Sequence, residues 1–165
     1  MLKKLEINSQ NLNEYAEFLF DILADNMTKI APTQNSRDED FKIWFTNLQQ
    51  RLLENKSCVI AFLYHENIVG YLQYSVSKNT LIIEEVEIST KFLVKYNILG
   101  SAIKLLFEIA PENIVYIEAY ANKNNKVSTQ LLKKAGFEII GTNKTKTSFL
   151  HRAVYSDLAK RFKKI

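Results

Sequence analysis

The stretch from Asn125 to Phe137, Asn-Lys-Val-Ser-Thr-Gln-Leu-Leu-Lys-Lys-Ala-Gly-Phe, decides the fold of this chain. It predicts a short helix beginning at Asn125, because an Asn side chain accepts hydrogen bonds from the first N–H groups of a helix. Gly136 predicts its end, since glycine readily adopts the left-handed conformation that follows a helix. A strand, Glu138-Ile139-Ile140, is predicted directly after it, and another, from Ile114 to Ala121, shortly before. Few helices lie this closely between two strands. The segment therefore predicts a strand–helix–strand unit, and the other predicted elements must be compatible with it.

The hydrophobic pattern predicts the remaining helices and strands in a definite order. Helices are predicted over 12–30, from about residue 38 to residue 54, and over 98–109, with a further short helix allowed in the basic tail. Strands are predicted over 2–7, 58–64, 68–76, 81–89, 114–121, 137–141 and 148–154. The strand–helix–strand crossover from Leu81 to Ala121 implies parallel pairing or splaying of those two strands. The fold class is therefore α/β (α+β), with a mixed, mostly antiparallel sheet of about seven strands and helices on both faces.

Apolar residues at helical spacing predict the buried faces of the first two helices. The predicted stripes are Tyr15, Phe18, Leu19, Ile22 and Leu23 in the first helix and Phe41, Trp44, Phe45, Leu48 and Leu52 in the second.

Length and composition favour a single domain over residues 1–165. The chain has 165 residues, 47% of them hydrophobic, which suffices for one full core. It has no apolar run of about 18 residues and no signal-like N-terminus, so neither a membrane span nor secretion is expected. Cys58 is the only cysteine, which fits the reducing cytoplasm.

The charge distribution disfavours a nucleic-acid surface. The net charge is +4, and the last ten residues, 156–165, carry +3 of it. Nucleic-acid binding usually needs a broader basic face. His65 and His151 are far apart in sequence and stand in no ligand-spaced cluster, so no metal site is predicted.

Four segments together resemble the GNAT superfamily of acetyl-coenzyme A-dependent N-acetyltransferases, over nearly the whole chain. They are Ile68-Val69-Gly70-Tyr71, Glu84-Glu85-Val86-Glu87-Ile88, Ala119-Tyr120-Ala121-Asn122-Lys123, and Asn125 with Ser128 and Gly136-Phe137. The second half looks especially like a bacterial branch. The resemblance implies acetyl transfer from acetyl-coenzyme A to an amine. It places coenzyme A between the strand 81–89, which precedes the loop 90–97, and the strand 114–121, which follows the next helix.

The resemblance places the pyrophosphate at a loop that opens a helix, where backbone N–H groups converge. The family pattern there is Gln or Arg, two residues, Gly, one residue, then Gly or Ala. This chain departs from it, with either Leu93, Tyr96 and Ile98 or Lys95, Ile98 and Gly100 at those positions. The implied coenzyme A contacts are Val86, Ile88, Leu93, Lys95, Tyr96, Asn97, Ile98, Asn125 and Ser128. For Asn125 and Ser128, helix capping is an alternative or additional role.

The resemblance also implies a carboxylate that takes a proton from the acceptor amine. Glu84 and Glu85 are the candidates, with Glu87 behind them. Strand alternation puts Glu84 on one face and the other two on the opposite face. Glu118 and Tyr120 share a face of the neighbouring strand and could instead bind or deprotonate the amine, and Tyr120 is also a candidate for the acid. Many family members carry, at the position of Leu132, a Tyr that protonates the departing thiolate of coenzyme A. That general acid is absent here.

Two other functions stay open at this point. The departures at the loop and at Leu132 favour a catalytically inactive GNAT-fold binding or regulatory module. The basic tail is the basis of a nucleic-acid hypothesis. For an enzyme, the acceptor is a small-molecule or peptide amine, and a homodimer is allowed. Phe41, Trp44 and Phe45 either shape the acceptor pocket or pack in the core.

Overall fold

The computed structural model describes residues 2–92 and 98–162. The strands are β1 (Lys3–Ile7), β2 (Cys58–Tyr64), β3 (Asn67–Ser77), β4 (Thr80–Ile88), β5 (Tyr116–Asn122), β6 (Glu138–Thr142) and β7 (Ser148–Val154). The helices are α1 (Leu12–Ile30), α2 (Arg37–Leu53), α3 (Ile98–Ile109), α4 (Lys126–Ala135) and α5 (Tyr155–Phe162). The predicted element order is confirmed, including the short helix in the basic tail.

The strands form one seven-stranded sheet in the order β1-β2-β3-β4-β5-β7-β6. The pairs β1–β2, β2–β3, β5–β7 and β6–β7 are antiparallel. The β4–β5 pair is parallel and joins Thr80–Ile83 to Tyr116–Ala119. This register confirms the prediction of a mixed sheet with a crossover between those two strands.

The chain divides into two compact units, Met1–Tyr74 with Glu85–Leu99 and Ser75–Glu84 with Gly100–Ile165. They are called the first and the second unit below. The single domain over 1–165 therefore stays a prediction.

The first unit has its core where α1 and α2 cover the strands β1, β2 and β3. Buried residues of this cluster include Leu12, Leu19, Leu48, Val59 and Tyr71, and Phe41, Trp44 and Phe45 pack against it while partly buried. Core packing is thus one role of these three aromatic side chains. The helical spacing places Phe18 in the buried stripe of α1, but it is 59% exposed, and Phe20 is buried instead.

The start of α2 is fixed by a capping box that the sequence pattern does not single out. The Ser36 side chain accepts a hydrogen bond from the Glu39 N–H, and the Glu39 carboxylate accepts one from the Ser36 N–H. Two otherwise unpaired N–H groups are satisfied in this way. The helix consequently begins at Arg37.

The second unit contains the segment that decides the fold, and both ends of α4 form as predicted. The Asn125 Oδ1 accepts a hydrogen bond from the Ser128 N–H at 3.0 Å. Gly136 has a φ of 102° and ends the helix in the left-handed conformation. The preceding strand begins later than predicted, at Tyr116, because Ile114 N–H bonds to the Pro111 carbonyl in a turn.

Candidate functional site

Three glutamates on β4 provide the densest group of carboxylates on any strand that the structure describes. Glu84, Glu85 and Glu87 are all half-buried. Alternation along the strand places Glu85 and Glu87 on one face and Glu84 on the other. Within the first unit, both Glu85 and Glu87 act on the Tyr71 hydroxyl, which agrees with this arrangement for that pair.

Gly70 on β3 lets the backbone of β4 approach closely at Glu87. A Cβ atom at Gly70 would lie 2.7 Å from the Glu87 carbonyl oxygen and 3.4 Å from the Ile88 Cα. Real Cβ atoms do not come that near to backbone, so only glycine fits here. The Ser89 N–H also donates to the Val69 carbonyl at 2.9 Å. These contacts fix the end of β4 against β3.

Tyr71 holds the Glu85 carboxylate from inside the core. Its hydroxyl donates to Glu85 Oε2 at 2.6 Å, and its side chain is fully buried. Burial raises the pKa of Tyr71 well above its usual value, and the charges of Glu85 and Glu87 raise it further. The phenol therefore stays protonated and acts as a hydrogen-bond donor, which stabilises a charged carboxylate.

Asn26 holds Glu87 from helix α1. Its Nδ2 donates to Glu87 Oε2 at 2.6 Å and to the Ile88 carbonyl at 3.2 Å. Burial raises the pKa of Glu87 to about 7, the Asn26 hydrogen bond opposes this rise, and the charge of Glu85 adds to it. A carboxyl group that titrates near neutral pH is suited to take and release a proton.

The other predicted catalytic residues belong to the second unit. They are Glu84 on β4 and Tyr120, which is 45% exposed on β5. Glu118 is buried and bound by Arg152, whose Nε and Nη2 lie 2.9 and 2.5 Å from Glu118 Oε1. The Arg152 guanidinium also lies 4.5 Å from the centre of the Tyr116 ring. Glu118 is thus committed to an ion pair. Catalytic roles for Glu84, Glu85 and Tyr120 remain predictions.

The predicted coenzyme A contacts fall into three groups. Leu93, Lys95, Tyr96 and Asn97 lie outside the described residues. Val86 and Ile88 are on β4 beyond Ile83, the last residue in its described pairing with β5, and Ile98 is fully buried at the start of α3. Asn125 and Ser128 make the α4 cap described above. Their capping role is observed, and contacts to coenzyme A remain predictions for the whole set.

Within residues 2–92 and 98–162, no three His, Cys, Asp or Glu side chains are placed to hold a metal ion. No helix in the same part of the chain is long and apolar enough to cross a membrane.

Solved structures share this architecture, although no family model and no curated protein matches the sequence. The PaiA N-acetyltransferase from Thermoplasma acidophilum, solved with coenzyme A, has a TM-score of 0.71 at 12% identity, over 94% of this chain and 99% of that one. FdhC, described as a nucleotide-linked sugar GNAT, gives 0.70 at 10% identity, over 99% and 92%. The chain has the GNAT fold. The spermidine/spermine N-acetyltransferase SpeG from Vibrio cholerae, solved in mutant forms, gives 0.60 at 14% identity, over 98% and 99%.

The GNAT fold confirms the predicted fold class, and the structure adds two residues that sequence reasoning does not assign to the site. The sequence places Asn26 only in the first predicted helix, and Tyr71 only in the predicted strand 68–76 and in one segment of the GNAT resemblance. Their signal is weak, because Asn26 and Glu87 are 61 residues apart in the chain. The resemblance ranks Glu87 after Glu84 and Glu85 as a candidate base. Its hydrogen bond with Asn26 makes it the stronger candidate.

Proposed function

We propose that this GNAT-fold chain transfers an acetyl group from acetyl-coenzyme A to a primary amine, with Glu87 as the general base. The observation that carries the proposal is the Glu87 carboxyl, whose pKa is raised to about 7 and which is hydrogen-bonded to Asn26. A base with a pKa near the working pH combines a large deprotonated fraction with useful proton affinity. Glu87 therefore takes the role of base for which the resemblance makes Glu84 and Glu85 the first candidates, with Glu87 behind them.

The chemistry required of the chain is mainly proton removal. Most alkyl amines carry a proton at neutral pH, and only the neutral amine is a nucleophile. Glu87 accepts that proton, and Asn26 keeps the carboxylate oriented through Oε2. Acetyl-coenzyme A supplies a thioester carbonyl that the neutral amine attacks. The nitrogen loses its second proton as the thiolate leaves, so the products are an amide and a thiol. Leu132 has no proton to give, and a thiolate with a pKa of about 8.5 is an adequate leaving group.

The arm of coenzyme A is proposed to lie along β4. Described pairing of β4 with β5 stops at Ile83, whereas the strand continues to Ile88. The backbone of Val86 and the N–H of Ile88 can thus bond to the amides of the pantetheine arm, while the Ile88 carbonyl accepts from Asn26. Lys91 is exposed shortly after β4 and would add positive charge near phosphates. A cytoplasmic location and a small-molecule or peptide acceptor belong to the same proposal.

Titration calorimetry with acetyl-coenzyme A tests the first half of the proposal, and thiol release with a panel of primary amines tests the second. We expect saturable binding to the wild-type protein and to Glu87→Gln, with turnover reduced at least about 100-fold in the variant because proton removal is lost. Glu112→Gln, an exposed carboxylate elsewhere, is the matched control and should retain turnover. No binding of acetyl-coenzyme A would refute the proposal.

Leu132 favours one second candidate, a GNAT-fold module that binds coenzyme A without catalysis. The half-buried Leu132 side chain provides no acid in the helix before Gly136. Such a module would bind acetyl-coenzyme A in the same titration. It would release no thiol with any amine, and Glu87→Gln would change nothing.

A further inference from the structure

We infer that Glu85 and Glu87 divide the handling of the acceptor: Glu85 anchors a cationic ammonium group and Glu87 removes its proton. The acceptor class is therefore an alkyl amine with no carboxylate near the reacting nitrogen. This inference rests on the proposed acetyl transfer and adds to it a rule of acceptor selectivity.

The first support is that the two carboxylates have different environments. Glu85 Oε2 accepts a hydrogen bond from the hydroxyl of Tyr71, which is buried and does not readily lose its own proton. Glu87 Oε2 instead accepts a hydrogen bond from the side-chain amide Nδ2 of Asn26. The phenol donor at 2.6 Å holds the Glu85 carboxylate in a defined position. Neighbouring acids in unlike environments usually take unlike roles in catalysis.

The second support is the repulsion between the two carboxylates. The influences on the Glu87 carboxyl within the described residues are burial, the Asn26 amide and the charge of Glu85, and no cationic side chain is among them. The same two carboxylates also raise the pKa of Tyr71. An ammonium group brought to this face would relieve the repulsion. A carboxylate brought there would increase it.

Atoms and charges balance for such an acceptor. The ammonium R–NH₃⁺ approaches Glu85, and one of its protons moves to the Glu87 carboxylate. The neutral amine then attacks the thioester, and the second proton leaves with the thiol. Glu85 stays an anion throughout, held by Tyr71, whereas Glu87 gains a proton and returns it to solvent.

Two amines of equal length separate the inference from its alternatives. In 4-aminobutan-1-ol and 4-aminobutanoate the reacting amine is the same, and only the second carries a carboxylate. We expect the wild-type kcat/KM to favour the alcohol at least about tenfold, the size of a charge repulsion across a few ångströms of partly shielded protein. Glu85→Gln should reduce this preference to about threefold or less, mainly by raising KM for the alcohol. Glu85→Asp, which keeps the charge, should retain the preference.

A titration that does not depend on turnover checks the coupling. The carboxyl carbon of Glu87, followed by NMR in labelled protein, should titrate at lower pH in Glu85→Gln, because the neighbouring charge is gone. Tyr71 donates to Glu85 and Asn26 donates to Glu87, and both donors remain in the variant. Equal wild-type use of the two amines would overturn the inference and leave acetyl transfer standing. Absence of transfer to both, and to the wider amine panel, would instead refute the proposed function.

Discussion

At the scale of single residues, the raised pKa of Glu87 links the site to the stability of the protein. The pKa is about 7 in the folded chain, against 4.5 for an ordinary glutamate. Between these values the folded protein holds a proton that the unfolded chain has released. The contribution of this proton to the free energy of unfolding is therefore complete below about pH 4.5, and it is lost as the pH rises towards 7. Glu87→Gln, which mimics the protonated form, should gain about 3 kcal/mol over the wild type at pH 8 and almost nothing at pH 4.5.

Urea unfolding of both proteins at pH 4.5, 6, 7 and 8 measures this difference. Glu112→Gln serves as the control, since its exposed side chain should give the same free energy of unfolding as the wild type throughout. A Glu87→Gln gain that did not depend on pH would show that the carboxyl titrates normally in the folded state.

Asn26 acts on the same group with the opposite sign. Its hydrogen bond lowers the pKa of Glu87, so Asn26→Leu, which keeps the size of the side chain, should raise that pKa further. The acidic limb of the pH dependence of kcat/KM should then move to higher pH, with a loss of about threefold to tenfold at pH 7. Activity should recover at pH 9. A loss that is equal at all pH values would indicate mispositioned substrate and contradict this role.

Individual site residues were predictable only where they are close in sequence. Glu84, Glu85 and Glu87 stand together on one strand, and alternation placed Glu85 and Glu87 on the same face, as their contacts agree. The contacts that distinguish Glu85 from Glu87 come from Tyr71 and Asn26, on other elements. Periodicity assigns such residues to a strand or a helix, but it does not reveal which side chain will meet which across the core.

At the scale of elements, the β3–β4 contact depends on the missing side chain of Gly70. A Cβ there would lie 2.7 Å from the Glu87 carbonyl oxygen, and backbone cannot move aside as a side chain can. We expect Gly70→Ala to lower the free energy of unfolding by about 1–3 kcal/mol, as overpacking does. It should also reduce turnover, because Glu87 shifts with its backbone. Gly141→Ala is the matched control, since a Cβ at Gly141 meets nothing within 4 Å.

Chemical denaturation and thiol-release assays on the two alanine variants test this contact. Gly141→Ala should stay within about 0.5 kcal/mol of the wild type, as surface substitutions do. If Gly70→Ala were equally neutral, the two strands would have room that the structure does not show.

Helix ends were predictable where the capping residues were distinctive. Asn125 and Gly136 marked α4 correctly because each supplies a specific hydrogen bond or backbone conformation. The buried face of α1 was harder, and the prediction for Phe18 is wrong. An apolar residue at the margin of a helical stripe is buried only if another element covers it, and periodicity alone does not show how wide that cover is.

At the scale of the whole molecule, the order of elements was enough to predict a mixed sheet, because a helix between two strands enforces a crossover. Most of the formal net charge is in the C-terminal segment 156–165, which is the basis of the open nucleic-acid hypothesis. The described part of this segment, up to Phe162, lies in α5, which belongs to the second unit. Leu158 is buried, and Arg161 Nη1 donates to the Lys134 carbonyl at 2.8 Å, near the end of α4. Cations suit that end of a helix dipole.

The packing of α5 yields the last prediction. Leu158→Ala should lower the free energy of unfolding by about 2–4 kcal/mol, because it removes a buried side chain and leaves a cavity. Lys160→Ala, two residues away and exposed, should change it by less than about 0.5 kcal/mol. Urea titrations followed by circular dichroism measure both. If Leu158→Ala were neutral while Lys160→Ala weakened binding to a DNA duplex in a salt-dependent way, the tail would be a nucleic-acid arm and not part of the fold.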